Sequence, residues 1–461
     1  MSSGTISPGH GFEHGGTLML TRDEALKLCE TVLAHAKAAG AEDATVEVEH
    51  TTESHARFAD NRITTSGRSE DLVINTSVWV ERRRGSATGN DAHPDALKRM
   101  ADEAVQIARI SPVHREYVPT LGPAEYAESR AFAASTADVD VVARAKALEG
   151  VLAACRSATV TGAGFHTATA RATGAATANG NRRYFRASEA GMSVTARSAD
   201  GTGSGYYAGD HFDLTKLDTQ DIAQQAVDKA VRSRAPKPIE PGVYPVILES
   251  QAVADLMGFL VGSFDARTAD EGRSAFSSKG GATKVGEPLF HERINLYSDP
   301  MHADMPAVPS TEDGVPAARV SLIKAGVLES LQYSPFWARE RKLTPTPGPV
   351  NYIFESTQAP VPTSEMIKTM KRGLLISRFW YVRLVDPRTI VLTGLTRDGL
   401  WWIEDGVVHH PVRNLRFNQS VLGMLAPWNV EAIGPTRRLS PYMVPSLKLG
   451  AFTFTSISDA I

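Results

Sequence analysis

Between Thr21 and Gly40 apolar residues recur at helical spacing, with Leu28, Val32 and Leu33 on one stripe. Thr21 stands where an N-cap is needed, acids follow it in the first turn, and Gly40 supplies a stop, so the pattern predicts a helix. Alternation of apolar and polar positions over 44–49 and again over 72–80 predicts half-buried strands; between them Arg57 to Ile63 carries Asp60-Asn61, a pair suited to a turn. Helical periodicity returns over 95–110 and 139–158. Residues 159–209 read as strands punctuated by Asn179-Gly180-Asn181 and by the run Asp200 to Gly205, and a helix is expected over 217–231.

The segment Arg234 to Gly242 holds three prolines in nine residues. Proline lacks the backbone donor a helix needs and fixes its own φ, so this segment is expected to link two domains. Beyond it come a short apolar strand at 244–249, a helix at 251–261 and a brief helix at 366–371. The rest is β: a hairpin over 320–332 turning at Ala325-Gly326, and a meander over 390–417 with Asp398-Gly399 and Asp405-Gly406 at its corners, where a type I′ turn asks for positive φ. No short-period repeat suggests a solenoid. The expected class is α+β, with an N-terminal α+β domain over 19–235 in which helices flank a β-meander, and a C-terminal β-rich domain over 242–461 with few helices. At 461 residues the chain exceeds what one core organises. Residues 1–18, rich in Gly, Ser and His, are expected to be a disordered leader.

Composition narrows the function classes. With 42% hydrophobic and 22% charged residues and a formal charge of -3, the chain carries no basic stripe of the kind that displaces counterions from nucleic acid; the densest basic run, Arg82 to Arg84, sits beside Glu81. The two cysteines, Cys29 and Cys155, both fall in apolar helical patterns and suggest no disulfide framework. No stretch approaches the ~18 apolar residues that cross a bilayer as a helix, so a cytoplasmic chain without membrane contact is expected.

Candidate chemistry is sparse on local motifs alone. Asp200 to Gly205 is glycine-rich but lacks the Gly-Lys-Ser/Thr of a phosphate loop and runs on into Tyr206 and Tyr207, and its Gly-Thr-Gly-Ser-Gly lacks the strand-to-helix setting of a nucleophile elbow. His291-Glu292 opens a zinc-peptidase motif, but Arg293, Ile294, Asn295 and Leu296 follow with no second histidine at helical distance, and His302 lies past Asp299-Pro300. His409 and His410 are adjacent in an expected strand and point to opposite faces. The acids Asp270 and Glu271 suit acid/base work or pairing with Arg267 and Arg273.

Longer segments say more. Asp265 to Ser277 (D-A-R-T-A-D-E-G-R-S-A-F-S), Arg372 to Tyr381 (R-G-L-L-I-S-R-F-W-Y), Thr393 to Gly399 (T-G-L-T-R-D-G), Pro411 to Ser420 (P-V-R-N-L-R-F-N-Q-S) and, nearer the start, Arg57 to Ile63 (R-F-A-D-N-R-I) resemble, in order, segments of the TldD/PmbA family. That resemblance implies a two-domain subunit of a heterodimer enclosing a peptide-accepting cavity, in which a TldD-like partner binds zinc through H-E-x-x-x-H and a later cysteine. The equivalent helix here, 251–261, contains no histidine or glutamate, no histidine lies between His211 and His291, and no cysteine follows Cys155. The chain therefore resembles the TldE/PmbA side of the family, with no catalytic or metal-binding residue of its own, zinc expected in the partner, and unfolded peptide as the shared substrate. Candidate cavity or interface residues are Asp270, Glu271, Arg273, Arg378, Arg397, Asp398, Asn414, Arg416 and Asn418, since arginine forks and amides suit peptide backbone and carboxylate groups, although each also fits a salt-bridge or turn role. Two alternatives stand beside this: a hydrolase with an unorthodox site drawn from Asp270, Glu271 and His291, and a homodimeric peptide-binding protein.

Overall fold

The structure is a computed structural model that describes residues 19–458, so the leader expected over 1–18 lies outside the described residues. Helix α1 (Arg22–Ala38) starts where the pattern placed it, because the Thr21 side chain accepts the Glu24 N–H while the Glu24 carboxylate accepts the Thr21 N–H. Strands β1 (Asp43–Ala59) and β2 (Arg62–Val80) turn at Asp60 and Asn61, whose φ values of 51° and 58° suit a type I′ corner; β3 (Arg83–Gly89) and α2 (Pro94–Ile110) follow. After the single turn α3 (Ala134–Ala137) the same element order returns: α4 (Val141–Ser157), β4 (Val160–Thr177), β5 (Arg182–Ser198), β6 (Ser204–His211) and α5 (Thr219–Arg232). The six strands follow the order β3-β2-β1-β4-β5-β6.

The strands exceed the short runs expected from hydrophobicity. In β1 every second residue is buried for most of its length, yet several of these are polar, His50, Thr52 and Ser54 among them, so an apolar pattern stops early where the strand continues. Each copy of the αβββα order also closes on a glycine. A Cβ on Gly85 of β3 would lie 2.0 Å from the Ala104 carbonyl oxygen of α2, and one on Gly205 of β6 would lie 2.2 Å from the Ala226 carbonyl oxygen of α5. The helices approach their edge strands as closely as they do because the strand carries no side chain at the crossing.

The chain divides into two compact units, one of Met1–Thr52, Ser69–Val113 and Arg171–Phe185, the other of Glu53–Arg68, His114–Ala170 and Arg186–Ile461. The first has its own core, in which Cys29 and Val32 of α1 meet Val46, Val48, Ile74 and Val78 of the sheet and Leu97 and Val105 of α2. The second holds a smaller core under α4 and α5, built on Phe58, Leu148, Val151, Cys155 and Val194. Its larger core belongs to the C-terminal sheet.

That sheet is mixed and eleven-stranded. In chain order its elements are β7 (Val243–Leu248), α6 (Ser250–Val261), α7 (Ala266–Asp270), β8 (Ile294–Ser298), β9 (Val320–Lys324), β10 (Val327–Leu328), α8 (Pro335–Arg341), β11 (Tyr352–Ser356), α9 (Thr363–Lys368), β12 (Arg372–Asp386), β13 (Val391–Glu404), β14 (Val407–Pro411), β15 (Leu415–Ser420), α10 (Val421–Met424), β16 (Val430–Leu439) and β17 (Tyr442–Ile457). β17 runs through its centre and pairs with β7, β11, β15 and β16. Leu256, Met257 and Leu260 of α6 pack on Phe379, Phe417 and Phe452, and the Phe379 and Phe452 rings stack 5.5 Å apart. The molecule is thus α+β, sheet-rich in its C-terminal part. Among the described residues no helix is long and apolar enough to cross a membrane.

Two of the three expected C-terminal corners are turns: Ala325-Gly326 joins β9 to β10 with φ of 46° and 79°, and Asp405-Gly406 joins β13 to β14 with φ of 46° and 77°. Asp398-Gly399 is not a corner. β13 runs straight through it, and the pairing steps from Ile376 opposite Leu400 to Arg378 opposite Arg397, so Asp398 and Gly399 together face Ser377 as a bulge. Their φ values of 53° and 135° explain the misleading signal, because a bulge and a type I′ turn ask for the same backbone freedom.

Candidate functional site

Strand β7 feeds directly into α6, whose apolar face is buried by Ala252, Val253, Leu256, Met257 and Leu260. Gln251 and Asp255 sit one turn apart on the same helix, and Gln251 Nε2 donates to Asp255 Oδ1 at 2.9 Å. The Phe379 backbone N–H donates to Asp255 Oδ2 at 2.7 Å, which ties the helix to β12. Burial pushes the Asp255 carboxyl up to about 6, against the pull of those two hydrogen bonds and of the Arg378 charge.

A zinc ion needs three or four nitrogen, sulfur or oxygen donors around it. On α6 the one acid has both oxygens engaged, and no imidazole or thiol stands beside it. Among the described residues no three His, Cys, Asp or Glu side chains gather as a metal site. The two thiols lie in helix cores, where desolvation raises both, Cys29 to about 12. The residues present on α6 do not fit the metal that the family resemblance places on the equivalent helix.

Asp255 carries a pH signature instead. Its folded value lies above the ordinary 3.8, so the native state keeps a proton that the unfolded chain has released, and stability is expected to fall as pH rises from about 4 to about 6 and then level off. Asp255→Asn retains an acceptor for the Phe379 N–H and is expected to flatten that slope. Urea unfolding of both proteins across this window checks it, and parallel slopes would refute it.

Beyond Asp255, β12 and β13 bring three candidates together. Arg378 and Arg397 stand directly opposite each other across the strands, a like-charge pairing that ordinarily destabilises a sheet. The bulge answers it by turning Asp398 inward: Asp398 Oδ2 lies 3.5 Å from Arg378 Nη1 and 3.7 Å from Arg397 Nε, and the residue is only 3% exposed. Ser204 of β6 donates to the other oxygen, Oδ1, at 2.5 Å. Ser204 is itself held by Ser233 at the end of α5, whose hydroxyl accepts the Ser204 N–H and donates to its carbonyl. The Arg378 guanidinium lies 3.8 Å from the Tyr206 ring centre and 4.9 Å from that of Trp380, and Arg397 lies 5.2 Å from Trp380. Behind Asp398 a cavity of about 190 Å³ is lined by Ser204, Ser233, Asp398, Arg413 and Asn414 among others. Asn414 Oδ1 accepts the Thr396 hydroxyl at 3.0 Å.

The remaining candidates lie elsewhere. Asp270 accepts the Trp337 indole N–H at 2.7 Å and pairs with Arg341 at 3.1 Å. Glu271 is chelated by Arg273 and Arg267, whose hydrogen bonds hold its carboxyl below the ordinary value. These acids form a second cluster between α7 and α8. His291 precedes β8 in a turn and its Nδ1 accepts the Arg293 N–H, so each member of the alternative hydrolase set is engaged by a different partner. Arg416 and Asn418 are exposed on β15, on the face opposite buried Leu415 and Phe417. Ser204, Tyr206 and Trp380 were not among the candidates. Trp380 was within reach of sequence reasoning, because it alternates with Arg378 on one strand and so shares its face. Ser204 and Tyr206 come from a strand far away in the chain.

Three successive segments match one family: residues 44–108 match the PmbA/TldA metallopeptidase domain 1, 134–234 its central domain and 241–456 its C-terminal domain. No curated protein sequence matches the chain. Among solved structures, TldE from Thermococcus kodakarensis superposes with a TM-score of 0.83 at 18% identity, covering 93% of this chain and 100% of that one. A proposed modulator of a DNA gyrase from Thermotoga maritima gives 0.81 at 17% identity with the same coverages. A proposed modulator of DNA gyrase from Bacteroides thetaiotaomicron gives 0.82 at 17%, covering 95% and 100%. At such identities the likeness speaks for the fold.

Proposed function

The chain belongs to the PmbA/TldA metallopeptidase family, and from that premise we propose that it is a TldE/PmbA-type subunit. In this reading it acts in the cytoplasm beside a TldD-like zinc peptidase, completing a chamber that admits unfolded peptide and leaving the hydrolysis to its partner. The observation that carries the proposal is α6, where the one carboxyl is committed to Gln251 and the Phe379 N–H and, among the described residues, no imidazole or thiolate joins it as a metal ligand. A peptide needs no metal to be held: strand edges, arginine forks and amides suffice. Exposed Tyr381, Leu384 and Val385 toward the end of β12 are consistent with a surface that a partner covers.

Co-expression with a protein carrying H-E-x-x-x-H, followed by affinity purification on this chain, tests the proposal. A stoichiometric complex that survives size exclusion is expected; a monodisperse monomer that ignores such a partner would sink the assignment.

A further inference from the structure

The pair Arg378 and Arg397 is under-satisfied. Their shared carboxylate oxygen lies at ion-pair distance, too far for a hydrogen bond, and among the described residues neither guanidinium donates a side-chain hydrogen bond to the protein. Arg378 Nε is buried with no acceptor. A guanidinium carries five N–H donors in a planar fork, and a partly buried one without acceptors is costly. The site is nevertheless open, since Arg397 is 22% and Trp380 37% exposed.

Charge points the same way. Asp398 is the one carboxylate in ion-pair contact with Arg378 and Arg397, which leaves that pair with one positive charge in excess. The neighbouring Lys229 and Glu249 neutralise each other. One uncompensated charge suits a monoanion better than a phosphate dianion. Arg378 sits over the Tyr206 ring and both guanidiniums lie within 5.2 Å of the Trp380 ring centre, and arginine forks held against aromatic rings suit a flat two-oxygen acceptor.

We propose that Arg378 and Arg397 grip a carboxylate of a bound peptide, with Trp380 and Tyr206 holding the forks in place and Asp398 keeping the pair from repelling itself apart. This rests on the peptide-handling reading above and adds its substrate class: peptides presenting a carboxylate, from the C-terminus or from an acidic side chain.

Fluorescence anisotropy with three N-terminally labelled alanine-based hexapeptides tests the site on the full chain and on the co-purified complex. One peptide has a free C-terminus, one is amidated, and one is amidated with an internal glutamate. The free-carboxylate peptide is expected to bind about tenfold or more tighter than the plain amide, as a charge-assisted bidentate pair implies. Recovery of affinity by the glutamate peptide identifies a side-chain carboxylate as sufficient; failure to recover identifies the C-terminus. Arg378→Lys and Arg397→Lys keep the charge but lose the fork, and each is expected to bring the ratio of free-carboxylate to amide affinity within about threefold, a ratio measured on the folded variant. Equal binding of all three peptides to wild type, or an intact preference in both variants, would overturn the proposal. A chain that captures its zinc partner without this discrimination loses the carboxylate site alone. One that discriminates yet captures no partner loses the subunit assignment alone.

Discussion

Asp398→Asn is expected to destabilise the chain by about 3 kcal/mol, within the range measured when one member of a buried ion pair is removed and at its lower end because Arg397 keeps some access to water. The substitution is nearly isosteric. Asparagine tolerates the positive φ of 53° at this position and still accepts the Ser204 hydroxyl, so backbone strain and the hydrogen bond drop out of the comparison and the charge remains. What is left is Arg378 facing Arg397 directly across the strands with no anion between them. Urea unfolding reads the cost as a lower midpoint at unchanged slope. Arg397→Met added to Asp398→Asn removes one of the opposed charges and is expected to recover part of the loss, a coupling that a double-mutant cycle measures. A change under about 0.5 kcal/mol for the single variant would mean that Asp398 does not hold the pair together.

Gly205→Ala is expected to cost about 3 kcal/mol, the upper end of what overpacking does, because the obstruction is backbone. The new Cβ would lie 2.2 Å from the Ala226 carbonyl oxygen and 2.4 Å from the Ala230 nitrogen, so α5 itself must shift away from β6. Gly191→Ala on the adjacent strand is the control: its nearest neighbour, the Thr167 hydroxyl, would be 3.5 Å away, and alanine there is expected to be neutral or slightly stabilising. Thermal melts of the two variants should separate clearly. Equal melting temperatures would show that the helix does not seat on the strand as closely as described.

Much of the fold was legible because its signals are local. The capping box at Thr21, the paired positive-φ residues at Asp60-Asn61, Ala325-Gly326 and Asp405-Gly406, and the helical stripes that bury Cys29 and Cys155 are each decided within a few residues. The same locality explains the misreading of Asp398-Gly399. Only the partner strand reveals that the chain does not reverse there, and the bulge is what turns Asp398 toward two arginines. The duplicated αβββα order was equally hidden, because Gly85 and Gly205 look alike only once a helix lies across each.

The candidate site divides along the same line. Arg378, Arg397 and Asp398 belong to two strands that pair, so segments singled out separately in sequence meet in space, whereas Ser204 and Tyr206 arrive from β6 by tertiary packing alone. Arg416 and Asn418 point away from Phe417 by the period-two rule of a strand, and with core side chains at 415 and 417 that outward face was readable in advance. Asp270, Glu271 and Arg273 are adjacent in sequence and remain so in space, with Trp337 and Arg341 added from α8.

The most direct test of the central claim is zinc stoichiometry by native mass spectrometry on the co-purified pair and on each chain alone, alongside a peptidase assay on the same samples. One zinc per pair, carried by the H-E-x-x-x-H chain, with hydrolysis that this chain alone does not perform, is the predicted result. A zinc ion retained by this chain in isolation, together with chelator-sensitive cleavage of peptide, would contradict it.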